Sequence, residues 1–201
     1  MLSLADLADE YGGGELRLTP TQNVIIPNVK EKDLLVKRLE EKGFSLSGSK
    51  LQWTSIGCAS EFCGKTQSPH AKEMLKELVG HLEKNLDKEL LNKAGFRIHI
   101  SGCPNNCCPS LVAEIGLEGR LIRKNDEMKQ HYDILLGGGL GQKSSLGRLI
   151  EERVPADEVK FKIEALLTNY WRKRKPSEGL REFCNRHTTE ELRSYLNSTG
   201  G

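Results

Sequence analysis

The sequence predicts an α+β chain in two parts, residues 1–55 and 56–201. Three observations carry that reading. Near the N-terminus an alternating stretch lies between two amphipathic helical stretches. In the middle, two close cysteine pairs flank a helix-length segment. Short alternating runs then lead into glycines and are followed by charged helical sequence. With 201 residues and 37% hydrophobic content, the chain can bury a core as one domain or as two small ones.

Leu2 to Tyr11 sets Leu2, Leu4 and Leu7 among small residues and reads as a short helix stopped by Gly12, Gly13 and Gly14. A strand follows from Glu15 to Pro27. Its first half puts Leu16 and Leu18 on one face and Arg17 on the other; Pro20 interrupts it, and Val24 to Ile26 resume. Lys30 to Lys42, with leucines at 34, 35 and 39, is an amphipathic helix ended by Gly43. Residues 1–55 thus form a small α+β unit.

Between the cysteine pairs, Ser68 suits an N-cap and Pro69 the first helical position, and Met74, Leu75, Leu78, Leu82 and Leu86 make an apolar stripe. Phe96 to Ile100 alternates as a strand whose end runs into Cys103, with Arg97 and His99 on one face. Leu111–Gly116 and Gly119–Arg123 read as two strands joined through Glu118 and Gly119, followed by a strand at Tyr132–Leu136. That strand enters the glycine run Gly137–Gly141, which lacks the spacing of a nucleotide fingerprint and the lysine of a P-loop. Its backbone suits close approach to a flat or anionic ligand.

Leu146 to Arg153 reads as a short helix and Asp157 to Lys175 as a longer one closed by Pro176. Two terminal helices follow, Ser177–His187 and Thr188–Leu196, each opened by a hydroxyl residue with a Glu soon after. The basic run Trp171–Lys175 reads as a solvated helix end, with docking of an acidic partner as the alternative. Cys184 reads as a buried small hydrophobe.

Charged residues make up 29% of the chain and the net charge is +2, which gives no basis for nucleic-acid binding. No apolar run reaches membrane-span length, and Met1–Asp6 lacks the basic start of a signal peptide, so the expectation is a cytoplasmic protein with no membrane partner. Six cysteines without the look of a disulfide scaffold agree with a reducing compartment.

Cys58 and Cys63 are separated by four residues, Cys103 and Cys107 by three, and a helix-length segment lies between the pairs. Soft thiolates in that pattern suit a cubane iron–sulfur cluster. A structural zinc site and buried unligated thiols stay open on spacing alone.

Four motifs in order carry a resemblance: Gly57-Cys-Ala-Ser-Glu-Phe-Cys-Gly-Lys65, Ile100-Ser-Gly-Cys-Pro-Asn-Asn-Cys107, Ala113-Glu-Ile-Gly-Leu-Glu-Gly119 and Tyr132-Asp-Ile-Leu-Leu-Gly-Gly-Gly139. They resemble the siroheme-binding half of the sulfite and nitrite reductase family. Upstream, Tyr11 to Asn28 resembles that family's second ferredoxin-like half-domain. The fold implied is a ferredoxin-like half-domain followed by a mixed α/β siroheme and iron–sulfur domain. A [4Fe–4S] cluster on Cys58, Cys63, Cys103 and Cys107 is implied, with Cys107 bridging to siroheme iron.

The resemblance further implies a six-electron reduction of sulfite to sulfide, with nitrite as the alternative substrate and a redox donor protein as partner. A non-catalytic electron-transfer or siroheme-carrying protein, and a zinc or iron–sulfur module without tetrapyrrole, are the other readings. Siroheme is rich in carboxylates, so cations and N–H donors should ring it. Arg17 and Lys65 are the candidate catalytic cations. Arg17, Gln22, Asn23, Lys65, Asn105, Asn106, Gly137, Gly138 and Gly139 are the candidate cofactor contacts, the two asparagines reading first as turn residues that hold the cysteine loop. His99 is weighed between a propionate donor and a satisfied strand-end residue. The chain departs from the family in three ways. The first cysteine pair is one residue closer, Cys108 stands where assimilatory members commonly have glycine, and the length is about half the usual. A homodimer or a partner subunit is expected to complete the lone half-domain.

Overall fold

The computed structural model describes residues 2–44, 46, 48–63, 70–93, 95–124, 126–142 and 144–198. They form two compact units, Met1–Ser49 and Lys50–Gly201. The sequence reading put the division at 55. Helix α3 (Lys50–Thr54) shifts it, because Leu51 is 1% exposed within the core of the second unit.

In the first unit, helix α1 (Leu2–Tyr11) and helix α2 (Lys32–Glu41) pack through Leu7, Tyr11, Leu35 and Leu39, with Leu4, Ile26 and Val29 against them. The spacing Leu4, Leu7, Tyr11 and Leu35, Leu39 places each set on one helix face. Past α2, Gly43 takes φ +81° and the Phe44 N–H reaches back to the Leu39 carbonyl at 2.9 Å, which closes the helix. The expected single interrupted strand is a hairpin, β1 (Arg17–Leu18) antiparallel to β2 (Val24–Ile25), with Arg17 opposite Ile25. Its turn is held by Thr19, whose N–H donates to the Asn23 carbonyl and whose Oγ1 accepts the Asn23 N–H, both at 2.9 Å. Neither leucine of the first strand is buried. Leu16 is half-buried and Leu18 is 72% exposed, because two-residue strands build no second layer to cover them.

The second unit is a five-stranded sheet in the order β3-β4-β5-β6-β7. Its strands are β3 (Ile56–Gly57), β4 (Ile98–Ser101), β5 (Ile115–Lys124), β6 (Glu127–Leu136) and β7 (Arg148–Pro155). β3, β4 and β5 are parallel; β5, β6 and β7 are antiparallel. Helix α4 (Ala71–Asn85) and helix α5 (Lys88–Lys93) form the crossover from β3 to β4, as a parallel pair requires. Among the described residues α4 begins after His70; Ser68 and Pro69 lie outside them.

One sheet face is apolar. Ile98, Ile100, Ile115, Leu117, Tyr132, Ile134, Leu136, Ile150 and Val154 meet Leu78 and Leu82 of α4 and Val159, Ile163, Leu166 and Tyr170 of α6 (Ala156–Lys173). Strand alternation sends His99, Ser101, Gly116, Glu118 and Asp133 to the other face. There the Arg120 guanidinium bridges Asp133 at 2.8 Å and Glu118 at 3.1 Å, and the second Asp133 oxygen accepts the Arg153 N–H at 2.8 Å.

Two expectations are corrected in the strands. Leu111–Gly116 and Gly119–Arg123 are not two strands: Ser110–Val112 is a 3₁₀ turn, and β5 runs unbroken through Glu118 and Gly119. Gly119 lies mid-strand opposite Tyr132, and the reversal falls after Lys124, which pairs with Glu127. Leu146–Arg153 is not a helix either. Arg148–Pro155 pairs with β6 and buries Ile150 and Val154, a tertiary demand that overrides local preference.

The terminal elements are α7 (Leu180–Arg186), whose N-cap is Gly179 and not Ser177, and α8 (Thr189–Leu196), whose Thr188–Glu191 capping box is formed. In the basic run, Arg174 stacks on Trp171 at 3.8 Å and Lys173 lies 4.2 Å over Tyr195. Cys184 is fully buried.

Two glycines test this packing with opposite signs. A Cβ on Gly116 would sit 2.2 Å from the Ser110 carbonyl oxygen, so Gly116→Ala should lower unfolding stability by about 1–3 kcal/mol. Gly80, in α4, has nothing among the described residues within 4 Å of its added carbon, so Gly80→Ala should raise stability by about 0.5–1 kcal/mol. Denaturant midpoints of the two variants decide; the same sign for both would contradict the packing described.

Candidate metal centre

Parallel pairing of β3 with β4 sets Ile56 beside His99 and Gly57 beside Ile100, so both strands end at the same edge of the sheet. Cys58 follows β3 directly. Its N–H donates to the Ile100 carbonyl at 3.0 Å, and its Sγ accepts the Gly102 N–H at 3.1 Å. Cys103, one residue on, is 8% exposed, and the Ser101 hydroxyl donates to its carbonyl at 3.0 Å. The sheet thus places these two cysteines just beyond adjacent strand ends, with the Cys58 sulfur on the amide next to Cys103.

The loop from Gly102 to Pro109 then turns back toward β5. Asn106 adopts φ +55°, and its Oδ1 accepts both the N–H and the hydroxyl of Ser110 at 2.7 Å. Cys107 is exposed, whereas Cys108 is 2% exposed and donates its S–H to the Ile56 carbonyl at 3.3 Å. Burial pushes the Cys108 thiol up to about 12, and the Cys184 thiol likewise to about 12. His99 Nδ1 donates to the Pro109 carbonyl at 2.9 Å. Its Nε2 is buried with no hydrogen-bond partner among the described residues, and burial lowers its pKa. An orphaned buried nitrogen of this kind costs about 1–3 kcal/mol.

The first pair is less gathered. Ser60–Phe62 forms a 3₁₀ turn whose buried Ser60 hydroxyl accepts the Ala71 N–H at 3.1 Å, tying the turn to the start of α4. Cys63 follows on the exposed side, its N–H on the Ser60 carbonyl at 3.0 Å, beside Phe62 at 84% exposure. Lys65 lies outside the described residues. Among the described residues no three His, Cys, Asp or Glu side chains converge to metal-binding distance. The donor set nonetheless fits an iron–sulfur cluster in kind: thiols from two adjacent strand ends, one sulfur already receiving a backbone N–H.

The remaining sequence-chosen residues have local partners or are exposed. Arg17 is exposed and paired with Glu15 at 2.7 Å. Gln22, at φ +59°, and Asn23 build the hairpin turn, Asn23 Nδ2 donating to Thr21 Oγ1 at 3.1 Å. Asn105 is exposed, and Asn106 has its carbonyl oxygen engaged by Ser110. The expectation of amide donors from the glycine run is not met at two positions. Gly137 N–H donates to the Glu114 carbonyl at 3.0 Å and Gly139 N–H to the Ser145 carbonyl at 2.9 Å. Gly138 is pressed by the chain itself, its missing Cβ 2.5 Å from the Leu111 and Ala113 carbonyl oxygens. Sequence reasoning missed Ser60, the Gly102 N–H and Cys108 as supports of the cysteine segments; only the Cys107-Cys108 doublet signalled one of them.

Thiols placed after the ends of a parallel strand pair are compatible with soft-metal ligation. The profile of the nitrite and sulphite reductase 4Fe-4S domain matches residues 64–199, and that of the nitrite/sulfite reductase ferredoxin-like half domain matches residues 1–41. The chain belongs to this siroheme sulfite and nitrite reductase family, whose cofactors are a [4Fe–4S] cluster and siroheme. An assimilatory ferredoxin-dependent nitrite reductase of Haloferax mediterranei is 34% identical over 96% of this chain and 33% of its own length. A sulfite reductase [ferredoxin] of Mycolicibacterium paratuberculosis is 32% identical over 95% of this chain and 35% of its own. The structure of the Mycobacterium tuberculosis NirA protein aligns with a TM-score of 0.82 and 26% identity, covering 95% of this chain and 36% of that one. The chain spans about a third of the length of the curated relatives it matches, less than the half expected from the resemblance.

Proposed function

We propose that the chain is a reductase of a small oxyanion, sulfite first and nitrite second, and that Cys58, Cys63, Cys103 and Cys107 hold the [4Fe–4S] cluster. The observation that carries this is the meeting of Cys58 and Cys103 at adjacent strand ends, with the Gly102 N–H on the Cys58 sulfur. Hydrogen bonds to a ligating sulfur lower its electron density and raise the potential of the group it holds. Cys107 is proposed as the thiolate shared with siroheme iron. Its exposure supports that role, since a shared sulfur needs an open side, whereas Cys103 is buried. Cys108 is the weaker candidate: its thiol is buried and donates to Ile56.

When bound, the coupled cluster and macrocycle supply stored electrons and the iron at which the oxyanion is reduced. The chain's own residues hold and orient that unit: Ser101 and Asn106 fix the path of the cysteine loop, and Ser60 fixes the turn that leads to Cys63. Relatives named for sulfite and for nitrite match at similar identity, so the two anions have to be assayed side by side. Several relatives are named for ferredoxin, and a one-electron donor protein of that kind is the proposed partner. Siroheme bands without turnover of either anion would make the chain a carrier of the cofactor.

Cys63→Ser and Cys103→Ser should each remove the cluster and with it the siroheme bands of the visible spectrum, because hard oxygen replaces thiolate poorly. Cys108→Ser should keep both. Iron and acid-labile sulfide analysis decides, and loss in the Cys108 variant with retention in Cys107→Ser would move the shared thiolate to Cys108.

Arg17 is proposed, from the family likeness, as a cation for the anionic cofactor or substrate. Arg17→Ala should bind siroheme or sulfite about tenfold less well at unchanged iron and sulfide content, a loss in the range of one charge-assisted hydrogen bond. Unchanged occupancy and affinity would leave Arg17 as the surface partner of Glu15.

The half domain is proposed to pair with a second copy of this chain. Its matched profile is that of half a domain, and its hairpin exposes Leu18, Val24 and Ile25. Light scattering should then give twice the monomer mass, and Leu18→Glu should return it to the monomer; a wild-type monomer at all concentrations would point to a different subunit.

A further inference from the structure

We propose that His99 is a positioning residue for the cysteine loop, acting through the single hydrogen bond from its Nδ1–H to the Pro109 carbonyl. A carbonyl only accepts, so Nδ1 carries the proton and the tautomer is fixed. Nε2 is left as a buried lone pair without a partner among the described residues. An apolar side chain could fill this place with no orphaned atom, so the contribution of the imidazole is placement of the loop, not stability.

The location agrees. His99 stands in register between Ile56 of β3 and Gly116 of β5. The returning chain passes so close there that a Cβ on Gly116 would touch the Ser110 oxygen. At its start the loop is tied by Ser101 to the Cys103 carbonyl, and Asn106 ties its middle to Ser110 just beyond its end. After Cys108, His99 joins the Pro109 carbonyl to the same strand that delivers Cys103. The bond therefore closes a ring from β4 through Cys103 and Cys107 back to β4 and sets how far those two sulfurs can separate. The importance of that separation rests on the proposed ligand set; the bond itself does not.

The test uses the iron-free full-length chain, native-state labelling by iodoacetamide, and peptide mass analysis. Opening of the loop exposes Cys108, which is 2% exposed when the loop is closed, while fully buried Cys184 in the main core reports global opening. His99→Gln moves the amide out to the Nε2 position, away from Pro109, and should speed Cys108 labelling about tenfold, the factor for one lost hydrogen bond. His99→Asn puts an amide N–H at the Nδ1 position and should label within about twofold of wild type. Cys184 labelling should not change in either. Equal Cys108 rates in wild type and His99→Gln would overturn the proposal, as would a tenfold rise in His99→Asn or a rise of Cys184 in step with Cys108. If His99→Gln does not fold, His99→Leu, which has no donor, takes its place: about tenfold faster Cys108 labelling supports the role and a wild-type rate refutes it. Iron and sulfide content of the wild type, measured separately, tests the cluster reading, so either idea can fail without the other.

Discussion

Everything at the cysteine site depends on the parallel pairing of β3 with β4. Two residues of β3 are enough, because Ile56 and Gly57 sit against His99 and Ile100 and the Cys58 N–H continues the ladder to the Ile100 carbonyl. A parallel pair needs a long crossover. Here that crossover contains α4, whose Leu78 and Leu82 bury fully into the main core. Burial of each such leucine contributes about 1.5–3 kcal/mol, more than the few hydrogen bonds of so short a strand return. The apolar stripe of α4 therefore anchors the strand ends that carry Cys58 and Cys103.

The sheet separates the two tasks by face. Alternate residues of β4, β5 and β6 fill the apolar face against α4 and α6, and the residues between them carry the polar groups. That second face is built by close backbone approach and by charge pairing. Asp133 is 4% exposed and has partners for both oxygens, Arg120 on one and the Arg153 N–H on the other. A buried carboxylate with both oxygens bonded is compatible with the fold, whereas one lacking either partner would not be. The same group accounts for the bulge in β6–β7, where register shifts between Tyr132 and Ile134 and Arg153 takes φ +55°.

Helices with a stripe were legible in the sequence: α1, α2, α4 and α6 lie within a few residues of where leucine spacing put them. Short strands were harder. In Arg148–Pro155, apolar residues at 149, 150 and 154 fit a helix as well as an edge strand, and pairing with β6 decides. Glu118-Gly119 looked like a turn because glycine punctuates turns, yet Gly119 lies mid-strand opposite Tyr132, which is fully buried. At the site, the thiol pairs are visible from spacing and the turn role of Asn106 from its residue type, but the other supports are not. Ser60 and Cys108 act on backbone atoms brought near by the fold, and no residue pattern in one dimension announces such a contact.

The loop also explains how adjacent cysteines can have different fates. Cys107 and Cys108 are neighbours, so composition cannot separate them; direction does. Asn106 in the left-handed region, stitched to Ser110, turns the chain so that one side chain faces outward and the next faces the sheet. Facing inward, Cys108 meets the Ile56 carbonyl and low dielectric, and both favour the protonated thiol over the thiolate that a metal needs. Burial of one thiol and exposure of its neighbour are thus set by which way one peptide turns.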